Sequence, residues 1–173
     1  MAVVAAECCR LRAVEASDVE VMYLWENDPD VWCVSGTVAP ISRDALVRFV
    51  SGASGDLYAE RQLRLIVDVE GVAVGAVDIY DFDPQHLRFG VGVLIYASEH
   101  RRRGYAKAAV EAVVEYARCG LGVKQVWASV AADNEGSLAL FEACGFERCG
   151  VRRAWLRRGA EYVDVVELQR LLF

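Results

Sequence analysis

Three consecutive arginines, Arg101, Arg102 and Arg103, run straight into Gly104-Tyr105-Ala106. An apolar, strand-like run (Val91 to Tyr96) precedes them, and a segment of helical periodicity (Tyr105 to Ala117) follows. Backbone N–H groups in a glycine-containing turn that opens a helix converge on one small volume. The helix dipole adds about half a positive charge at that point. Three guanidinium groups around such a turn make a seat for a phosphorylated ligand. A nucleic-acid patch is the competing reading. The arginines form a single turn without interleaved aromatics, and the chain is acidic overall, which argues against it.

The elements that must carry this turn can be read from the same sequence. Leu11 to Ala13 reads as a short strand. Ser17 is placed to N-cap a helix to about Glu26, with Val21, Leu24 and Trp25 on its apolar side, and Asn27-Asp28-Pro29-Asp30 breaks it. Ser42 starts a second helix through about Val50, followed by a turn over residues 51–55. Leu63 to Val69, Val72 to Tyr80 and Arg88 to Tyr96 form an antiparallel meander with turns at Glu70-Gly71 and residues 81–85. In the helix after the arginines, Ala106, Ala109, Val110, Val113, Val114 and Ala117 recur at i, i+3, i+4, i+7. Gln125 to Val130 is a strand, and Glu135 to Cys144 a helix closed by Gly145. Two last strands, Glu147 to Leu156 and Tyr162 to Leu171, flank a turn at Arg158-Gly159. This order is that of an α/β (α+β) domain with a mixed central sheet flanked by helices, not a doubly wound one.

Length and composition fit that picture. The 173 residues suffice for one domain spanning 1–173, and 55% hydrophobic with 25% charged residues is a globular composition. No apolar stretch approaches the roughly 20 residues of a membrane span, and the first residues lack the basic and long apolar regions of a signal peptide. Six cysteines (Cys8, Cys9, Cys33, Cys119, Cys144, Cys149) show neither a Cys-x-x-Cys pair nor metal spacing with His86 or His100. Free thiols, no metal and a cytoplasmic location are expected. Residues 1–83 carry 15 acids against 6 bases, and residues 84–173 carry 10 acids against 13 bases. An acidic first half and a basic second half suit a cationic substrate beside an anionic cofactor, or merely two solvated faces.

Arg101-x-x-Gly104-x-Ala106, between a Gly92-Val-Leu-Ile strand and a helix, resembles the acyl-CoA signature of the GNAT superfamily of N-acetyltransferases. Thirty residues on, Asn134-Glu-Gly-Ser137-Leu-Ala-Leu-Phe141-Glu-Ala-Cys-Gly145-Phe146 resembles that family's following motif. The element order agrees as well, so the resemblance covers nearly the whole chain. It implies a GNAT acyl-CoA N-acyltransferase fold with acetyl-CoA lying where two parallel central strands splay apart. Amides of Arg102, Arg103, Gly104, Tyr105 and Ala106 would then cradle the pyrophosphate, with Arg101 and Arg103 adding charge. Backbone groups of Leu94 and Ile95 would pair with the pantetheine arm, which Asn134 and Phe141 would also meet.

Family members of this kind catalyse direct attack of a primary amine on the acetyl thioester. An alkyl ammonium of pKa near 10.4 leaves only about 1 molecule in 2,500 neutral at pH 7, a handicap of about 4.6 kcal/mol. A carboxylate or a water chain must therefore take a proton. Many relatives carry Glu where this chain has Gly90, and Tyr as general acid where it has Phe141. Either the acid is water or one of Ser137, Tyr162 and Cys144, or the thiolate leaves unaided. Asp78 is the first candidate for the base, ahead of Asp81, His86 and Glu26. Strand alternation puts Asp78 and Tyr80 on one face and Val77, Ile79 and Asp81 on the other. A surface-facing Asp78 is the alternative.

By the same resemblance the acceptor pocket is lined by the first two helices and their loop, here Trp25-Glu26-Asn27-Asp28-Pro29-Asp30-Val31-Trp32. Glu26, Asp28, Trp32 and Asp81 are the candidate substrate contacts, since acids with flanking aromatic faces suit a cation. Core anchoring is the alternative for either Trp. The segment resembles the branch holding spermidine and diamine N-acetyltransferases and ribosomal-protein N-terminal acetyltransferases. The expected reaction is N-acetylation of a polyamine or diamine. A protein N-terminal amine is the alternative acceptor, and a non-catalytic acyl-CoA sensor is the competing class. The expected partners are a small-molecule amine and, in a homodimer, a second copy, with neither nucleic acid nor membrane.

Overall fold

The computed structural model describes residues 2–5, 8–35 and 37–173. Its strands are β1 (Ala2–Ala5), β2 (Arg10–Ala13), β3 (Leu63–Val69), β4 (Val72–Asp83), β5 (Arg88–Ile95), β6 (Gln125–Ala131), β7 (Glu147–Arg158) and β8 (Glu161–Leu171). The helices are α1 (Val19–Glu26), α2 (Pro29–Ser35), α3 (Arg43–Gly52), α4 (Leu57–Glu60), α5 (Tyr105–Glu115) and α6 (Glu135–Ala143). The strands form one mixed sheet in the order β1-β2-β3-β4-β5-β6-β8-β7. The expected architecture is present, with β1, α2 and α4 in addition.

Each face of the sheet has its own core, because the central strands bury alternate residues on opposite sides. On one face, α5 buries Ala109, Val110, Val113 and Val114 against Leu65, Val77, Ile79, Phe89 and Val126. On the other, Met22 and Trp25 of α1 and Leu46 of α3 cover Ile66 and Ala76. Ser42 caps α3 as the sequence indicates, its Oγ accepting from the Ala45 N–H at 3.1 Å. Ser17 does not cap α1. It lies inside a short 3₁₀ turn (Ala16–Asp18), where Glu15 and Asp18 make a reciprocal capping box. Pro29 does not merely end α1. It opens α2, where its missing N–H costs nothing, with the Asp28 carboxylate accepting from Asp30 N–H at 2.8 Å.

The end of β4 departs from simple alternation. The β4–β5 register slips between Tyr80↔Gly90 and Asp83↔Arg88, and Asp81 in the slip takes φ 51°. Phe82, not Asp81, therefore joins Val77 and Ile79 in the core, while Asp81 is exposed. The bulge avoids burying an unpaired carboxylate and buries an aromatic ring, a preference of about 2 kcal/mol or more.

The feature that shapes the site is the junction of β5 and β6. These strands run parallel but pair only at Arg88↔Gln125, Phe89↔Val126 and Gly90↔Trp127. Beyond Gly90 and Trp127 they diverge. β5 stays paired to β4 and β6 to β8, so a wedge-shaped gap opens in the middle of the sheet.

Candidate active site

The gap is bounded on one side by the free edge of β5. Tyr96 N–H donates to the Val74 carbonyl on β4 at 3.1 Å. The Leu94 carbonyl also points to β4, 2.0 Å from where a Cβ at Gly75 would sit. Alternation then directs the N–H and C=O of Val91, Val93 and Ile95 towards the gap. Of the two residues expected to pair with an extended ligand arm, Ile95 thus faces the opening and Leu94 faces the sheet. The Arg101 guanidinium donates to the carbonyls of Ile95 (3.1 Å) and Tyr96 (2.8 Å), fixing the end of the strand.

The arginine turn follows. Arg102 has φ 60° and Gly104, the residue before α5, has φ 84°. Left-handed residues on either side of Arg103 curl successive amides inward, a geometry that favours anions. No side chain caps the first turn of α5, so its amides remain available. Arg102 and Arg103 are exposed and, among the described residues, make no hydrogen bond. Residues 102–106 thus gather unpaired N–H groups, a helix N-terminus and cationic side chains at the mouth of the gap.

The far wall carries the second motif. Asn134 caps α6, its Oδ1 accepting from the Ser137 N–H at 3.1 Å. Phe141 is only 3% exposed and packs edge-on against Phe146 with ring centroids 5.1 Å apart. It offers almost no surface to a ligand. Cys144 is also buried, and burial pushes its thiol up to about 11. Tyr162 lies on β8 near the tip of the last hairpin and is 61% exposed. Ser137 lies in the first turn of α6 and Cys144 at the opposite end of that helix, while Tyr162 is on β8, so the three candidate acids are not brought together. The six cysteines are all free thiols.

The opposite face of the sheet holds the carboxylates. Asp78 is gripped by Arg64, Nε to Oδ1 at 2.6 Å and Nη2 to Oδ2 at 2.8 Å, and the same guanidinium donates through Nη1 to Glu26. Arg64 also lies 5.8 Å from the Phe49 ring centre. These residues line a cavity of about 740 Å³ that also takes in Glu60 and Tyr80. Asp28 reaches Tyr96 at the end of β5, where its hydrogen bond raises the phenol above its usual value. Trp32 donates from Nε1 to the Glu26 carbonyl at 2.7 Å, and Trp25 is 2% exposed within the core. Glu26, Asp28 and Asp78 thus gather near the splayed strands. Asp81 faces a second cavity of about 490 Å³ with Trp127, Arg152 and Glu167.

Between the cavities stands Tyr80. Its ring crosses β5 so closely that a Cβ at Gly90 would lie 2.3 Å from Cε2. It meets the Trp127 ring edge-on at 5.0 Å. Burial, and secondarily the charge of Glu167, push its phenol up to about 12. Glu167 on β8 pairs across the sheet with Ser129 of β6, whose Oγ donates to Oε2 at 2.8 Å. Arg152 Nε lies 3.0 Å from Oε1, yet no hydrogen bond is aligned with that buried oxygen. Sequence reasoning missed this Ser129–Glu167 pair. Each residue sits in an ordinary strand pattern, and only the β6–β8 register brings them together.

An N-acetyltransferase fold is recognisable by this combination of splayed parallel strands and an uncapped, arginine-flanked helix, and residues 9–147 match the acetyltransferase (GNAT) domain. The chain belongs to the GNAT family. Among relatives of this GNAT chain, the spermidine N(1)-acetyltransferase of Vibrio cholerae is 25% identical over 136 residues, covering 79% of this chain and 77% of that protein. The uncharacterized N-acetyltransferase YoaA of Bacillus subtilis is 32% identical over 139 residues, covering 79% and 78%. In fold, it superposes on the Vibrio cholerae spermidine N-acetyltransferase crystallised with CoA and spermine with a TM-score of 0.85 at 22% identity, covering 95% of both chains. The microcin C7 self-immunity acetyltransferase MccE, in complex with acetyl-CoA and AMP, gives 0.79 at 19% identity, covering 95% and 93%. This GNAT chain is accordingly an acetyl-CoA-dependent N-acetyltransferase. Among its described residues no helix is long and apolar enough to cross a membrane, and no group of His, Cys, Asp or Glu is arranged to hold a metal.

Proposed function

We propose that this enzyme acetylates a polyamine or diamine by direct attack of one amine on the thioester of acetyl-CoA. The observation that carries the reading is the cavity on the face opposite α5, where Glu26, Glu60 and Asp78 outnumber Arg48 and Arg64. With Asp78 held by Arg64, a ligand with ammonium groups several carbons apart can pair with Glu26 and Glu60 while its methylene chain covers Phe49 and Ile41. The spermidine acetyltransferase among the relatives is consistent with that acceptor.

On the donor side, the amides of Arg102 to Ala106 with Arg102 and Arg103 hold the pyrophosphate. The free edge of β5 around Ile95 and the Asn134 side of the gap hold the pantetheine arm. Arg101 positions the strand end. Bound there, acetyl-CoA supplies an activated acyl carbon and a thiol leaving group that departs without an acid, consistent with a buried Phe141. Asp78, with both oxygens on Arg64, shapes the charge of the acceptor cavity. Self-association in a homodimer belongs to the same reading, as the Vibrio cholerae relative forms a dodecamer.

The test is acceptor-dependent thiol release from acetyl-CoA with spermidine, putrescine, free amino acids and N-terminal peptides. Turnover is expected with the first two. Peptide turnover alone would move the enzyme to the N-terminal acetyltransferases. Tight acetyl-CoA binding with no thiol release across the panel would overturn the polyamine and diamine reading.

A further inference from the structure

We propose that Ser129 and Glu167 form the proton relay that neutralises the acceptor ammonium, Ser129 meeting the amine and Glu167 taking the proton. The inference rests on the acetyltransfer reading above and supplies the step that Gly90 leaves without a side chain. Three observations converge on the pair.

The first is position. Ser129 is exposed and lies two residues past Trp127, the last β6 residue paired with β5, so it stands on the wall of the gap. Tyr80 ties that wall to the place a side chain at 90 would occupy. Its ring covers Gly90, touches Trp127 and reaches the backbone of Ser129. The second is the state of the carboxylates. Both oxygens of Asp78 receive Arg64 hydrogen bonds, so its lone pairs are engaged. Glu167 has Oε2 on the Ser129 hydroxyl and Oε1 in no aligned hydrogen bond. The third is connection. A hydroxyl that donates to a carboxylate at 2.8 Å has its own oxygen lone pairs open to an incoming N–H.

The step balances as follows. An ammonium N–H bond breaks and its proton passes to Ser129 Oγ as the Ser129 proton passes to Glu167 Oε2. The freed nitrogen lone pair attacks the thioester carbonyl carbon. The C–N bond forms and the C–S bond breaks, and sulfur leaves with the bonding pair as a thiolate. A second nitrogen proton neutralises the thiolate, and Glu167 returns its proton to solvent. The charged and titratable groups facing Glu167 are Arg152 and Cys149 on β7, Tyr80, Asp81 and Asp83 on β4, and Arg88 on β5. Arg152, with Nε 3.0 Å from Oε1, is the ion-pair partner of that carboxylate.

The experiment follows kcat/KM for spermidine from pH 6 to 10, with acetyl-CoA affinity measured separately. Glu167→Gln is expected to lower kcat/KM about 100-fold at pH 7, the usual worth of a positioned base. Near pH 10, where roughly a third of the acceptor is already neutral, the deficit should shrink to a few-fold. Acetyl-CoA affinity should stay within about twofold. Ser129→Ala should reproduce the pH-dependent deficit, and Ser129→Thr, which keeps the hydroxyl, should largely restore activity. A Glu167→Gln deficit constant across pH marks a structural role and overturns the relay. So does wild-type activity in Ser129→Ala, which decides the matter even where Glu167→Gln fails to fold. Absence of thiol release in the unsubstituted enzyme overturns the acetyltransfer reading itself, and the relay with it. Full activity there with unaffected variants overturns the relay alone.

Discussion

Tyr80 and Gly90 share one site, and neither can be understood without the other. The Tyr80 ring lies where a side chain at 90 would begin, with Cε2 2.3 Å from the Cβ position. Gly90→Ala must push the ring away from Trp127 and is expected to cost about 1–3 kcal/mol. In a Tyr80→Ala background the same substitution should cost almost nothing. Urea unfolding of the four proteins in that cycle measures the coupling, and additive effects would show that the ring has another place to go. The sequence exposed half of this relation. Gly90 stood out by its missing carboxylate, but the filling of the vacancy from the next strand depends on a cross-strand register no local pattern records. Asp78 was visible as a carboxylate in a strand. Its engagement by Arg64, fourteen residues earlier, follows from the β3–β4 pairing Arg64↔Asp78.

At the level of elements, α5 combines two requirements in its first turn. Gly104 needs its positive φ to turn the chain into the helix, and nothing lies within 4 Å of a Cβ there. Gly104→Ala therefore adds backbone strain without a clash, about 1–2 kcal/mol. The melting temperature should fall by several degrees and CoA affinity by several-fold as the amides lose alignment. Calorimetric titration with CoA checks this, and unchanged affinity would remove these amides from the pyrophosphate site. Ser42→Ala is the matching test on α3, with about 1 kcal/mol expected from the lost cap and no effect on CoA. Long periodic elements such as α5, β3 and β6 were legible within a residue or two because their buried faces dominate their energetics. The Asp28-Pro29 pair carried a helix-start signal that was outweighed by its reading as a breaker. The four-residue α4 has too few side chains for periodicity, and the bulge at Asp81 is decided by which side chain the core admits.

Across the whole molecule, charge is concentrated where the sheet needs fastening. Arg12 donates to both oxygens of Asp18, at 2.7 and 2.8 Å, and to Asp68 at 3.0 Å, tying β2 to β3 and to the start of α1. Both carboxylates are buried. Burial alone would raise them, but the Arg12 hydrogen bonds, helped by the amides of Glu15 and Gly71, hold both below the usual carboxylate range. A carboxylate depressed in the folded state stabilises fully above its unfolded pKa, and the contribution is lost as pH falls through the folded value. Stability should therefore decline on acidification below about pH 4. Arg12→Ala is expected to cost about 3–5 kcal/mol at pH 7, since it strands the buried Asp18 and leaves Asp68 only Arg10 as a cationic partner, and that cost should shrink towards pH 4 as the carboxylates protonate. Thermal melts across pH measure both slopes, and a cost independent of pH would refute the assignment. The gap between β5 and β6 has a consequence of a different kind. Its base is propped by Tyr80 against Trp127, and its upper edge is tethered by Arg101 to Ile95 and Tyr96. The donor slot is thus shaped before any ligand arrives, so little chain entropy is spent in forming it and binding can be fast and shallow in structural change.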